Sequence, residues 1–198
     1  MELPPSGNLL PYDGVVNYHG VIFAPEEAAF HHDQLLSGIP WKSDEVVMFG
    51  KRIITARKTA WCGDSEFCYT YSGGTKRALP WTSDLARLKS IVQKISATTY
   101  NSCLLNLYHD GGEGMGWHSD DEKSLAEDAA IASLSLGAER EFRFKHKRTN
   151  DKVSILLENG SLLVMKGPTQ RHWLHGLPKS KKITTPRINL TFRTMAAG

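Results

Sequence analysis

From Asn101 onward the chain is a succession of short β-type runs, with no helical stretch apparent between them. They are NSCLLNLY (101–108), IASLSLG (131–137), EFRFKH (141–146), VSILL (153–157), SLLVMK (161–166) and RINLTFR (187–193). Several alternate, as Phe142 and Phe144 do against Arg143 and Lys145. That is the period of a strand with one face turned inward. TNDK and ENGS supply turns between some of them. Many short strands without intervening helices must stack as a sandwich or close into a jelly roll.

The first half reads differently. Residues 1–14 are rich in Pro, Gly and Asn and are expected to be a loosely held segment. VVNYHGVIF then reads as a strand and PEEAAFHHDQLLSG as a helix. Pro25 opens that helix, acids fill its first turn, Phe30 and Leu35 share a side, and Gly38 stops it. In TSDLARLKSIVQKI, Leu85, Leu88, Val92 and Ile95 recur at helical spacing behind a cap at Thr82 or Ser83. The expectation is one compact mixed α+β domain, with residues 15–99 as an α/β half packed around a β core at 100–198. A chain of 198 residues, 40% hydrophobic and 23% charged, can bury such a core without disulfides. Its three cysteines form no CxxC pair and suit a reducing compartment. No apolar run approaches the roughly 18–20 residues of a membrane span, and the N-terminus lacks the pattern of a secretory leader. The net charge of +3 is gathered partly in RFKHKRTNDK (143–152) and KSKK (179–182), which are either solvated turns or a phosphate-contacting surface.

The chemistry concentrates in YHDGGEGMGWHSDDE (108–122), which holds four glycines, two histidines and five acidic residues. On a strand, residues i and i+2 point to one face, so His118 and Asp120 would aim an imidazole and a carboxylate at one point. A third ligand is available from QRHWLHGLP, as His172 or His175. Two histidines and one carboxylate leave three positions of an octahedral metal open, the facial triad of non-haem Fe(II) oxygenases. A lone His-x-Asp is common by chance. Arg187 and Arg193 add to it, because a spacing of six puts both on one face of a strand, with Asn189 between them and Ile188, Leu190 and Phe192 on the other face. Inward arginines beside a metal suit a small dicarboxylate, one end on the metal and the other on a guanidinium.

Taken together, LLNLYHDG…GWHSDDE, IASLSLGAEREFRFKHK, NGSLLVMKGPTQRHWLHGLP and PRINLTFR resemble the AlkB family of Fe(II)- and 2-oxoglutarate-dependent nucleic-acid dioxygenases. The likeness is nearest to the branch that repairs alkylated duplex DNA. It runs from about Phe49 to Arg193, taking in VVMFGKRIITARK and GDSEFCYTYSG. The resemblance implies a double-stranded β-helix (jelly roll) with an N-terminal nucleotide-recognition lid within 15–99. It assigns iron to His118, Asp120 and His175, leaving His172 a neighbour. For 2-oxoglutarate it implies Asn106, Tyr108, Arg187, Asn189, Thr191 and Arg193. Asp121 and Glu122 match positions beside a flipped base, where a carboxylate favours a base made cationic by N-alkylation. Tyr69 and Tyr71 match a lid segment that stacks on the nucleotide. Phe49 matches a wedge that enters the base stack, with Gly50 and Lys51 beside it; whether Met48 shares the wedge is left open. Arg52, Arg57, Lys58 and Arg148 are implied contacts to the nucleic-acid backbone, with Arg57 alternatively meeting bases at the gap.

The implied reaction is oxidative dealkylation of 1-methyladenine- or 3-methylcytosine-type bases. It consumes O2 and 2-oxoglutarate and releases succinate, CO2 and formaldehyde. The expected partner is alkylated DNA, in duplex form, met by a monomer with no membrane association. The expected compartment is the cytoplasm in a bacterium or the nucleus in a eukaryote. The alternatives are the same iron chemistry on RNA or on a substrate that is not nucleic acid, and a catalytically silent nucleic-acid-binding module on a cupin-like barrel. Ser119, between the two ligands, has no expected role.

Overall fold

The computed structural model describes residues 7–48, 51–71 and 74–196, with side chains described outside 44–53 and 68–76. Strand β1 (Val15–Val21) leads into helix α1 (Pro25–Gly38). The chain then forms β2 (Lys42–Met48), β3 (Lys51–Gly63), and the small pair β4 (Cys68–Tyr71) and β5 (Gly74–Arg77). Helix α2 (Ser83–Ser96) precedes the β-rich half. That half comprises β6 (Ser102–Tyr108), β7 (Met115–His118), β8 (Ile131–Gly137), β9 (Arg140–His146), β10 (Lys152–Leu157) and β11 (Ser161–Lys166). The one-turn helix α3 (Thr169–His172), β12 (Trp173–Leu177) and β13 (Arg187–Arg193) complete it.

The strands form two main antiparallel layers. A seven-stranded sheet runs β1-β11-β8-β13-β6-β3-β2, and a four-stranded sheet runs β10-β9-β12-β7. This is the expected jelly roll. The N-terminal half shares its larger sheet: β1 pairs with β11 and β3 pairs with β6, so hydrogen bonding crosses the 99/100 boundary.

Alternation on the central strands decides what faces what. Ile188, Leu190 and Phe192 of β13 and Ala132, Leu134 and Leu136 of β8 are fully buried, in one apolar cluster with Leu85, Leu88 and Val92 of α2 and Ala28 and Leu35 of α1. The opposite face of the same sheet looks toward the smaller one. There Ile131, Leu163 and Met165 meet Phe144, Leu157 and Trp173 in a second cluster. Thr82 caps α2 by accepting from the Leu85 amide at 3.2 Å, which settles the choice between Thr82 and Ser83.

One expectation changes. Phe30 is 54% exposed, and α1 buries Ala28, His31, His32 and Leu35 instead. Residues 30 and 35 lie about 140° apart around a helix of 3.6 residues per turn, whereas positions 28, 31, 32 and 35 make one stripe. The glycines of the 108–122 stretch also serve close approach. A Cβ on Gly111 would lie 2.0 Å from the Ser180 carbonyl oxygen, and one on Gly114 would lie 2.5 Å from that of Leu177. The loop is pressed against the segment after β12, with Gly111 N–H bonded to Ile183 O at 2.8 Å and Ser180 N–H to Gly111 O at 2.7 Å.

Candidate active site

β7 and β12 pair antiparallel with His118 directly opposite His175, so the two imidazoles meet across the smaller sheet with ring centroids 4.3 Å apart. Asp120 joins them by another route than expected. β7 ends at His118, and Asp120 lies in the following loop rather than on the strand. Its amide donates to Gln170 Oε1 at 2.9 Å, and this bond turns the buried carboxylate toward the pair. One ligand-type atom from each of His118, Asp120 and His175 lies within 4.8 Å of the others.

The protonation states suit a cation. His118 Nδ1 lies 2.9 Å from Gly116 O, and a carbonyl only accepts, so Nδ1 donates there and Nε2, 3.9 Å from Asp120 Oδ1, is the nitrogen that faces the carboxylate. Burial pulls His175 down to about 3, which leaves it neutral at pH 7. Burial pushes the Asp120 carboxyl up, but Arg193, His175 and His118 together outweigh it and hold the group below its ordinary value. Two imidazoles and one carboxylate are the donor set for a divalent iron with open positions.

β13 supplies the other wall. Arg187, Asn189, Thr191 and Arg193 share one face, and Asn189 lies opposite Asn106 of β6 while Arg187 lies opposite Tyr108. All six line one cavity together with His118, Asp120 and His175. Arg187 is 2% exposed. Its Nη2 donates to Ser135 Oγ at 2.9 Å, its Nε has no hydrogen-bond partner, and it pairs with no carboxylate among the described residues. Burial lowers it to about 10, so it remains a cation at pH 7. A sealed guanidinium with an orphaned donor is a seat for an anion. Arg193 sits at the metal end, with Nη2 2.9 Å from Asp120 Oδ1 and Nη1 3.7 Å from Glu122 Oε1. Asn189 donates to Ser133 Oγ at 2.8 Å and accepts from Thr191 Oγ1 at 3.1 Å, which fixes the polar stripe between the arginines.

Arg57, implied as a contact to the nucleic-acid backbone or alternatively to bases at the gap, is 8% exposed and donates to Asn106 Oδ1 at 3.1 Å inside the site. Asp121 and Glu122 line a wider cleft that shares Asp120 and Arg193 with the first cavity. Ser119 acquires a role: its hydroxyl donates to Asp121 Oδ2 at 3.0 Å. Lys147 Nζ bonds Ser119 Oγ at 3.1 Å and lies 3.8 Å from Asp121. His172 lies outside the triad. Lys58 lies on β3, and Arg148 is exposed after β9. Phe49 and Gly50 lie outside the described residues, as do the side chains of Met48, Lys51, Arg52, Tyr69 and Tyr71.

Four supporting residues escaped the sequence reading. Ser133 and Ser135 were visible as the polar alternates of IASLSLG. Gln170 and the buried Arg140 carried no local signal. Arg140 donates to Asp110 O at 3.3 Å, Glu113 O at 2.9 Å and Pro178 O at 2.8 Å, holding the glycine loop to the end of β12.

Comparison with known proteins decides the family. The model of the 2OG-Fe(II) oxygenase superfamily matches residues 14–193. The chain is 38% identical over 200 residues to human "DNA oxidative demethylase ALKBH2", covering 96% of this chain and 77% of that protein. It is 43% identical over 157 residues to the mouse protein of the same name, covering 75% of this chain and 66% of the relative. The chain belongs to the AlkB family of 2OG-Fe(II) oxygenases. As an AlkB-family dioxygenase it uses Fe(II), 2-oxoglutarate and O2, and the donor set and the unpaired buried arginine described above fit the first two. It spans just under two thirds of the mouse relative and about three quarters of the human one. The solved structure of OsALKBH1 has the same fold, with a TM-score of 0.64 and 18% identity over 96% of this chain and all of that one.

Proposed function

We propose that this AlkB-family chain removes N-alkyl groups oxidatively from bases of the 1-methyladenine and 3-methylcytosine type in DNA. The observation that carries the proposal is the junction of two cavities at Asp120 and Arg193. One cavity holds the triad and the arginine stripe, and the other opens past Asp121 and Glu122. The relatives' name, DNA oxidative demethylase, supports DNA as the substrate.

In this reading His118 Nε2, Asp120 and His175 hold Fe(II), which supplies O2 activation when bound. Arg187 takes the distal carboxylate of 2-oxoglutarate, while Asn106, Tyr108, Asn189, Thr191 and Arg193 line its path to the metal. Arg57, through Asn106, stiffens that wall. Asp121 and Glu122 face the alkylated base. Its ring is cationic, so an anionic edge favours it over the unmodified base. Glu122 Oε2 is buried without a hydrogen-bond partner, which suits a donor from the base. The same reading gives Phe49, Gly50, Lys51, Tyr69 and Tyr71 to recognition of the nucleotide, and Arg52, Lys58 and Arg148 to the phosphates.

The balance is one O2 and one 2-oxoglutarate per alkyl group. One oxygen atom enters succinate as CO2 leaves, and the other hydroxylates the N-alkyl carbon. The hemiaminal so formed breaks its C–N bond, releasing formaldehyde and the restored base. The substrate is duplex DNA and the enzyme acts as a monomer, in a bacterial cytoplasm or a eukaryotic nucleus. No helix among the described residues is long and apolar enough to cross a membrane.

The test is mass spectrometry of a 3-methylcytosine duplex incubated with enzyme, Fe(II) and 2-oxoglutarate. Loss of one CH2 per repaired base, with equimolar succinate and none with His118→Ala, is the expected result. Succinate without repair would reject the substrate, and faster turnover of methylated RNA or single strands would reject the duplex.

A further inference from the structure

A second group of ligand-type side chains lies outside this site. Asp13, His146 and His172 bring a carboxylate oxygen and two imidazole nitrogens within 4.8 Å of one another, the same bound that His118, Asp120 and His175 meet. His146 ends β9 and is 1% exposed. Its Nε2 lies 3.3 Å from Asp13 Oδ2, yet it is buried and makes no hydrogen bond. His172 closes α3 with its ring nearly parallel to that of His146, at 10° and 6.3 Å between centroids. Asp13 sits at φ 51°, a left-handed conformation that aspartate tolerates better than most side chains.

The surroundings of Nδ1 govern whether Nε2 is free to bind: the Thr149 amide donates to Nδ1 from 3.1 Å, and the Thr149 hydroxyl lies at the same distance. For Nε2 to offer a lone pair, the ring proton must sit on Nδ1. Thr149 Oγ1 lies 3.1 Å from Nδ1 and itself donates to Asp151 Oδ2 at 2.9 Å. Tyr12, next to Asp13, bonds Thr149 and Asp151 through its hydroxyl. Turning Nδ1 from the amide to the hydroxyl would give His146 the outer hydrogen bond usual behind a metal ligand.

We propose that Asp13, His146 and His172 form a second cation site, one that takes Zn(II). Two imidazoles and a carboxylate, with a fourth position for water, are a zinc donor set; Mg(II) and Ca(II) call for oxygen ligands. Zn–N and Zn–O distances of about 2.0–2.2 Å require the three atoms to draw together, and the exposed His172 has the rotameric freedom to do so. A bound ion would pin the segment before β1 to the end of β9 and the start of β12, three residues from His175. The rival reading is a plain hydrogen bond from a protonated Nε2 to Asp13, with the Thr149 amide donating to Nδ1 from 3.1 Å; it predicts no zinc.

The test is equilibrium dialysis of the full chain against zinc chloride, followed by metal analysis. The wild type should hold two equivalents, His118→Ala one, His172→Ala one and the double variant none. Asp13→Asn should also lose one equivalent, which guards against a folding defect in the histidine variant. In the His118→Ala background zinc should raise the thermal midpoint, and adding His172→Ala should abolish the rise. Equal zinc counts in wild type, His172→Ala and Asp13→Asn would overturn the site. If only the triad assignment is wrong, His118→Ala keeps the wild-type count while His172→Ala still drops by one.

Discussion

Replacing Arg187 by methionine should abolish the hold on 2-oxoglutarate without weakening the ligand-free fold. The side chain is almost wholly buried, and burial lowers it to about 10. At about 1.4 kcal/mol for each tenfold in proton affinity, keeping it charged costs the empty fold about 3 kcal/mol. Methionine fills similar volume without that charge, and swapping a buried ion for an apolar side chain is often neutral or stabilising. The thermal midpoint of the free protein should therefore hold or rise. With cosubstrate the sign reverses. Leaving a buried carboxylate without its arginine costs about 3–5 kcal/mol, which is a roughly 150- to 5,000-fold loss of affinity. For the wild type, 2-oxoglutarate at a hundred times its Kd, with Mn(II) in place of iron, adds about 2.7 kcal/mol. In a domain of this size that raises the midpoint by about 5–11 °C. Arg187→Met should lose this rise and show a correspondingly higher KM for 2-oxoglutarate in succinate release. A KM within threefold of wild type, or a cosubstrate-dependent midpoint that survives, would refute the anchoring role. A large drop in the free protein's midpoint would refute the claim that the cation is unpaid for in the empty fold.

Three further outcomes follow from the geometry. Gly111→Ala places a Cβ 2.0 Å from the Ser180 carbonyl. Overpacking of this kind costs about 1–3 kcal/mol, so calorimetry should show the midpoint fall by about 2–12 °C, while Gly116→Ala, with nothing within 4 Å, leaves it unchanged. His19 is lowered from its usual value by burial first and by Lys166 second. The unfolded chain therefore binds the extra proton more readily, and the stability contribution present above about pH 6.5 is lost as pH falls through that value. Urea midpoints at pH 7.5 and 5.5 should differ less in His19→Gln than in the wild type, and an unchanged difference would reject the assignment. Cys62 and Cys103 are buried free thiols, with burial raising Cys62 to about 11 and Cys103 well above its ordinary value. Neither should react with a thiol reagent at pH 8 until the protein is unfolded, and native labelling at either position, read by peptide mapping, would contradict that burial.

Much of this was legible because it is periodic. Helix α2 announces itself by Leu85, Leu88 and Val92, β13 falls on the residues that alternation marks, and β8 and β11 fall on short β-type runs. The triad's histidines were legible as types, but choosing His175 over His172 required family resemblance. What alternation cannot report is a contact made by a neighbour distant in sequence. Gln170 reaches Asp120 across 50 residues, Arg140 reaches Pro178 across 38, and Arg57 reaches Asn106 across 49. Each is a polar side chain whose local pattern suggests a solvated surface, and only strand pairing brings its partner near. The close approach at the glycines is hidden for the same reason. Flexibility is a local property of Gly111, whereas its closeness to Ser180 depends on where a segment 69 residues later passes.

The division of labour on β13 shows why the site is tied to its register. Ile188, Leu190 and Phe192 bury one face against the helices, while Arg187, Asn189, Thr191 and Arg193 line the cavity on the other. A slip of one residue would exchange the faces. Two arginines, an asparagine and a threonine would enter an apolar cluster, and three large hydrophobic residues would meet the metal ligands. The slipped state would leave those polar groups without partners, at a cost of about 1–3 kcal/mol or more for each. Both flanking strands hold the register, since Asn189 is opposite Asn106 of β6 on one side and Ser135 of β8 on the other. The same burial that stabilises the sheet therefore places the arginine stripe opposite the triad. Function and folding depend on the same seven positions. Substitutions on the helix-facing side of β13 are thus expected to disturb cosubstrate binding through register and packing, without touching the cosubstrate themselves.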